Sequence, residues 1–113
     1  MKNKYSIEIT NLVESDLDDL GSNQDLAVDK LLKLEENPAK KGSALKGNLK
    51  GLYSYKFNLP GSGQYRAIYY LKNKESICLL ILVASRENIY QEAQRRYESI
   101  KTNNWFSYLA YMC

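Results

Sequence analysis

Hydrophobic and polar residues alternate from Leu52 onward. In LYSYKFNL, Tyr53, Tyr55 and Phe57 fall on one face of an extended strand, with Ser54, Lys56 and Asn58 on the other. PGSG is turn chemistry, and QYRAIYYL then returns with Tyr65, Ala67 and Tyr69 on one face and Arg66, Ile68 and Tyr70 on the other. After KNKE comes SICLLILVA, the most apolar run and the natural centre of a sheet. Three strands joined by short turns predict an antiparallel meander. Upstream, KYSIEIT alternates through Tyr5, Ile7 and Ile9. It predicts a further strand that joins this sheet or packs at its edge.

Helical spacing governs the segments between and after the strands. Val13, Leu17 and Leu20 repeat at helical intervals, and Gly21-Ser22-Asn23 breaks the pattern. NQDLAVDKLLKLEENPAK predicts a second helix whose apolar face is Leu26, Leu31 and Leu34 with Ala27 alongside, stopped by Pro38. Residues 39–52 form a basic connection with glycines at 42, 47 and 51. A last helix starts near Ser85 as N-cap, and Ile89, Ala93, Tyr97 and Ile100 give it one stripe against the sheet. Tyr90 borders that stripe, while Arg95 and Arg96 lie off it or at its margin. The tail NNWFSYLAYMC is too hydrophobic to stay free in water, and either completes the core or meets a partner. The expected fold is α+β: two N-terminal helices, an antiparallel sheet of three to four strands and a C-terminal helix. It forms one domain over 1–113 with an aromatic tail at 103–113.

Charge changes this picture more than size does. A chain of 113 residues buries one modest core. Residues 1–36 hold four lysines against nine acids, whereas residues 37–113 hold twelve basic residues against four acids. A basic half opposed to an acidic one concerns partners, and nucleic acid is the obvious candidate for the basic side. Ten tyrosines suit a sheet core, an interface or a platform for bases. Cys78 lies in an apolar run as a buried thiol, and neither it nor Cys113 has metal-site spacing, so no metal or cofactor is expected. The N-terminus lacks a signal-peptide core and no run reaches membrane-spanning length, which predicts a cytoplasmic protein with no membrane partner.

RNA can be cut by its own 2′-hydroxyl, provided the protein helps move protons and stabilises charge on the phosphate. Guanidinium forks match phosphate oxygens. The chain has no histidine, which excludes a histidine-driven ribonuclease or hydrolase. Tyrosine or lysine must then do the proton work, in a positively charged or buried setting. Lys56, Arg66, Arg86 and Tyr90 are the candidate set, expected to converge at one edge of the sheet. The alternative pairs Arg66 with an acid and uses Arg86 to brace the last helix.

The segments LKGNLKGLYSYKF, GQYRAIYYL and ICLLILVASRENIYQEAQRRY, in that order, resemble the RelE/ParE superfamily of bacterial toxins over about residues 5–98. The resemblance implies the same small α+β fold and a toxin of a type II toxin–antitoxin system, which inhibits growth and is covered by a cognate antitoxin. In the RelE branch it implies an mRNA interferase, a metal-independent endoribonuclease acting in the ribosome. In the ParE branch it implies a non-enzymatic inhibitor of DNA gyrase. Carried over by position, Lys56, Arg66 and Arg86 would contact phosphate or stabilise transition-state charge, and Tyr90 would stack on a base or remove a proton. Lys46 and Lys50 resemble surface that holds ribosomal RNA, and Arg95 and Arg96 extend the expected RNA-binding set. The chain departs from the pattern at Ser54, where RelE has a second strand lysine, and at Ser85, where many relatives have histidine. It offers no clear counterpart of an early-strand glutamate base, Glu87 being placed at the start of the last helix.

Overall fold

The computed structural model describes residues 4–85 and 88–102. Its strands are β1 (Ser6–Ile9), β2 (Ser43–Ala44), β3 (Leu52–Leu59), β4 (Gly63–Lys72) and β5 (Ile77–Ala84). They form one five-stranded sheet in the order β1-β5-β4-β3-β2. The helices are α1 (Asn11–Asp18), α2 (Gln24–Leu32), α3 (Pro38–Lys41) and α4 (Ile89–Thr102). This is the expected α+β arrangement, with the meander β3-β4-β5 antiparallel throughout. The strand expected from KYSIEIT is β1, and it lies parallel to β5, from Ser6 beside Ile77 to Ile9 beside Leu80, so the sheet is mixed rather than wholly antiparallel. The one unexpected strand is β2, which pairs with β3 over two residues.

β5 is buried on both faces from Cys78 to Ala84, as its unbroken apolar run requires. One face meets α1 and α2, where Val13, Leu17, Ala27, Leu31 and Leu34 pack on Phe57, Ala67, Tyr69, Cys78 and Leu80. The other meets α4, whose Ile89, Ala93, Tyr97 and Ile100 cover Leu52, Ile68, Ile81 and Leu82. The alternation in β3 and β4 is therefore real, with the tyrosine-rich side facing the helical hairpin. Tyr53 stacks on Tyr69, and Phe57 on both Tyr55 and Tyr65. Ile81 is an extra residue in β5: Ile68 pairs with Leu82 but Tyr69 with Leu80.

Three details differ from the sequence expectation. Leu26 is 37% exposed and is not part of the α2 core face. Ala27, Leu31 and Leu34 follow one another at four and three residues, and Leu26 sits a hundred degrees off that line. Pro38 does not end the second helix, which stops at Leu32 and tightens into a 3-10 turn. Asn37 takes φ 59, and Pro38 opens the short α3, where its missing N–H costs nothing. The last helix begins at Ile89 rather than near Ser85, with the Asn88 carbonyl accepting from the amides of Gln91 and Glu92. Thr10 caps α1 by accepting from the Val13 amide at 3.1 Å.

Gly42 is held by space. A Cβ there would collide with the hydroxyl of Tyr69, which donates to the Pro38 carbonyl at 2.7 Å. Burial pushes that phenol well above its ordinary value and the Cys78 thiol up to about 12. Both groups are neutral when protonated, so their raised values favour the folded state below about pH 9 and this contribution is lost as pH rises. Stability in urea is expected to be flat between pH 7 and 8. Above pH 9 it should fall by about 1.4 kcal/mol per unit for each group ionised only in the unfolded chain. Cys78→Ala should flatten part of the alkaline limb. A curve unchanged in that variant would count against a buried neutral thiol. Among the described residues, no helix is long and apolar enough to cross a membrane.

Candidate functional site

The hairpin β3–β4 places Lys56 directly opposite Arg66. Both lie on the α4 side of the sheet, because they alternate with Phe57, Tyr65 and Ala67 on the other. On its far side Arg66 is paired with Ala84, the last residue of β5. The chain then turns into α4, and its second residue, Tyr90, comes back over Arg66. The Arg66 guanidinium donates from Nη1 to the Tyr90 hydroxyl at 2.7 Å and lies 5.7 Å from the centre of its ring. A guanidinium over a phenol gains from the negative ring face as well as from the hydrogen bond. Because Arg66 is the donor, the Tyr90 O–H remains directed elsewhere and can serve a ligand.

Like charges opposite one another on a sheet are destabilising by a few tenths of a kcal/mol or more. Among the described residues, no carboxylate forms an ion pair with Lys56 or Arg66. The Lys56 side is exposed and Arg66 is half-buried, so the pair opens to solvent at the hairpin end of the sheet. An anion laid there would remove the repulsion and take up the guanidinium's remaining donors. Ser54, two residues before Lys56 on the same face, is buried with its hydroxyl unpartnered among the described residues.

The expected site is thus assembled in part. Lys56, Arg66 and Tyr90 come together. Arg86 and Glu87 lie outside the described residues, as does the aromatic tail at 103–113. Lys46 and Lys50 are exposed on the loop between β2 and β3. That loop sits beside the far end of α4, where Leu45 and Leu49 pack and Gly51 approaches the Tyr97 hydroxyl. β3 starts at Leu52, and four strand steps carry the chain from there to Lys56, about 13 Å, so the loop lysines stand apart from the pocket. Lys101 joins them there, its ammonium 4.6 Å from the Tyr97 ring centre.

Arg95 and Arg96 diverge. The side chain of Arg95 is 74% exposed and touches Glu92 at 2.6 Å. Arg96 is a correction to the expected RNA-binding set, since its side chain is only 10% exposed and already engaged. Its Nη1 and Nη2 meet the two carboxylate oxygens of Asp16 at 2.9 and 3.1 Å, and Nε donates to Glu92 at 3.0 Å. Nη1 also donates to the Ile81 carbonyl at 2.9 Å. Burial alone would push the guanidinium down. Its hydrogen bond and charge contact with Asp16, then with Glu92, outweigh that and hold it above its ordinary value. Asp16 was not legible as a special residue: it is one of many acids on the first helix, eighty positions from its partner.

Comparison with known proteins bears on the fold and the family. A family model described as the ParE-like toxin of type II bacterial toxin–antitoxin systems matches residues 7–94. None of the curated proteins compared matches the chain. Among solved structures, a doubly substituted Escherichia coli toxin RelE in its free state superposes with a TM-score of 0.62 at 26% identity, covering 82% of this chain and 97% of that one. The isolated E. coli RelE toxin gives 0.57 at 27%, covering 82% and 98%. The toxin–antitoxin complex RelBE2 of Mycobacterium tuberculosis gives 0.64 at 22%, covering 76% and 95%, and speaks for the fold alone. With the family match spanning residues 7–94, most of the chain, the chain belongs to the ParE-like toxins of type II bacterial toxin–antitoxin systems.

Proposed function

We propose that this toxin is a ribosome-dependent endoribonuclease that cuts mRNA through attack of a 2′-hydroxyl on the adjacent phosphate. The observation that carries the reading is the Arg66–Tyr90 hydrogen bond beside the Lys56 ammonium, which has no carboxylate partner among the described residues. In the step itself a bond forms between the 2′-oxygen and phosphorus, and the bond from phosphorus to the 5′-oxygen breaks. The products are a 2′,3′-cyclic phosphate and a 5′-hydroxyl, so the proton lost by the nucleophile is balanced by one gained by the leaving oxygen. Arg66, with Arg86, grips the phosphate and stabilises its growing charge. Lys56 supports that charge from the facing strand. Tyr90 orients the base or activates the 2′-hydroxyl. Lys46, Lys50 and exposed Arg95 would hold ribosomal RNA at a distance from the cut, in the cytoplasm where translation occurs.

The partner in the resting cell is a cognate antitoxin. Related toxins occur in toxin–antitoxin complexes, including that of M. tuberculosis and the intact RelBE complex of E. coli. Carboxylates of such a partner would answer the cations at 56 and 66. Inhibition of DNA gyrase is the second reading, favoured by Ser54 in place of a second strand lysine and by the ParE-like character of the family match. The two are separated by inducing the toxin and running primer extension on a translated transcript beside a gyrase supercoiling assay. Cuts within translated codons with supercoiling intact are expected. Intact transcripts with lost supercoiling would replace the nuclease by the gyrase inhibitor.

A further inference from the structure

We infer that Asp16 and Arg96 are positioning residues for the Arg66–Tyr90 pocket, a clamp that stands in for the strand β5 lacks over its last residues. β1 ends at Ile9 beside Leu80, so among the described residues the outer edge of β5 from Ile81 onward has no strand neighbour on that side. The clamp supplies two hydrogen bonds to that edge. Arg96 donates to the Ile81 carbonyl at 2.9 Å, and Asp16 accepts from the Val83 amide at 3.0 Å. Guanidinium and carboxylate close on each other in a two-point fork, with side chains 10% and 12% exposed.

Clamp and pocket share α4 and meet along the end of β5. Ala84, next to Val83, is the strand partner of Arg66. Tyr90 precedes Arg96 by six residues on α4, about 9 Å of helix rise. Below α4 the contacts are apolar, through Ile89, Ala93, Tyr97 and Ile100. Such contacts are non-directional and tolerate small slides and rotations. Directional bonds to the backbone of β5 do not, so the clamp fixes where along β5 the helix sits and hence where the Tyr90 hydroxyl meets Arg66. Because Asp16 belongs to α1, the seat of α4 is also tied to the helical layer across the sheet.

The inference rests on the nucleic-acid reading of the pocket, and its test separates the two. Asp16→Leu with Arg96→Met removes both charges together, which buried pairs often tolerate. Arg96→Lys, which keeps the charge without the fork, is used if that double variant melts below the assay temperature. Ribosome-dependent cleavage is measured for wild type, Tyr90→Phe, the clamp variant and their combination, beside anisotropy of a labelled single-stranded RNA. The folded clamp variant should lose on the order of tenfold to a hundredfold in kcat with KM little changed. Tyr90→Phe should then cost nothing further, because the hydroxyl is already misplaced. Full-rate cleavage by the clamp variant, or losses that simply multiply, would overturn the inference. If wild type cuts nothing, the nuclease reading falls and the same cycle is read on RNA binding, where non-multiplying losses uphold the clamp and multiplying or absent losses overturn it.

Discussion

Arg66→Ala is expected to lower mRNA cleavage by about a hundredfold to a thousandfold, the loss seen when one preorganised donor to a developing negative charge is removed. The residue sits where three contributions meet. It is the cross-strand neighbour of Lys56, the neighbour of the last residue of β5, and the donor to the Tyr90 hydroxyl at 2.7 Å. Alanine removes the fork and leaves Lys56 as a single point charge on the strand. Arg66→Lys should recover only part of the rate, since an ammonium cannot hold a phosphate and the phenol in one plane. Tyr90→Phe should cost less than Arg66→Ala, because the ring and its contact with the guanidinium remain. Stability should hardly change in Arg66→Ala, the lost hydrogen bond being offset by relief from Lys56. Rates come from timed primer extension at one strong cut, with urea melts as the control. A folded Arg66→Ala protein cutting at the wild-type rate would remove this residue from the mechanism.

That pocket was readable in the chain because strand register is a local property. The two-residue period of LYSYKFNL and QYRAIYYL, folded about PGSG, allows one alignment that buries Tyr55, Phe57, Tyr65 and Tyr69 together. The same alignment sets Lys56 against Arg66 on the opposite face. The α4 stripe was readable for the same reason, and it brings Tyr90 to the end of β5. Features made by distant segments were not. Nothing in KYSIEIT distinguishes a strand parallel to β5 from one at another edge. Nothing in AVDKLLKLEENP announces the left-handed Asn37 that ends the second helical segment before Pro38. Asp16 and Arg96 show the limit most clearly. Each carries a charge at the margin of an amphipathic helix, a pattern that fits a solvated side chain as well as a buried one. Burial came only when β1 proved too short to cover β5 and two helices on opposite layers closed over the gap.

Asp16→Ala should destabilise the fold by about 3–5 kcal/mol, as expected when one partner of a buried pair is removed and the other charge stays behind. Three groups lose a hydrogen bond at once: the Val83 amide, Nη2 of Arg96, and Nη1 of Arg96, which keeps only the Ile81 carbonyl. Glu92 retains its bond to Nε of Arg96 at 3.0 Å, which places the effect toward the lower end of that range. For a domain of this size each kcal/mol lowers the melting temperature by roughly 4–8 °C, so a drop above 10 °C is expected. The paired change Asp16→Leu with Arg96→Met should recover most of it, since Glu92 keeps Arg95 at 2.6 Å and the remaining losses are the two edge hydrogen bonds and the bond from Nε to Glu92. Arg95→Ala, on a side chain 74% exposed, should stay within about half a kcal/mol of wild type. Urea denaturation at pH 7 measures all three. The expected order places the single Asp16 variant far below the pair, and a single variant costing under about 1 kcal/mol would mean that water reaches Arg96 and that the sheet edge is not sealed by the ion pair.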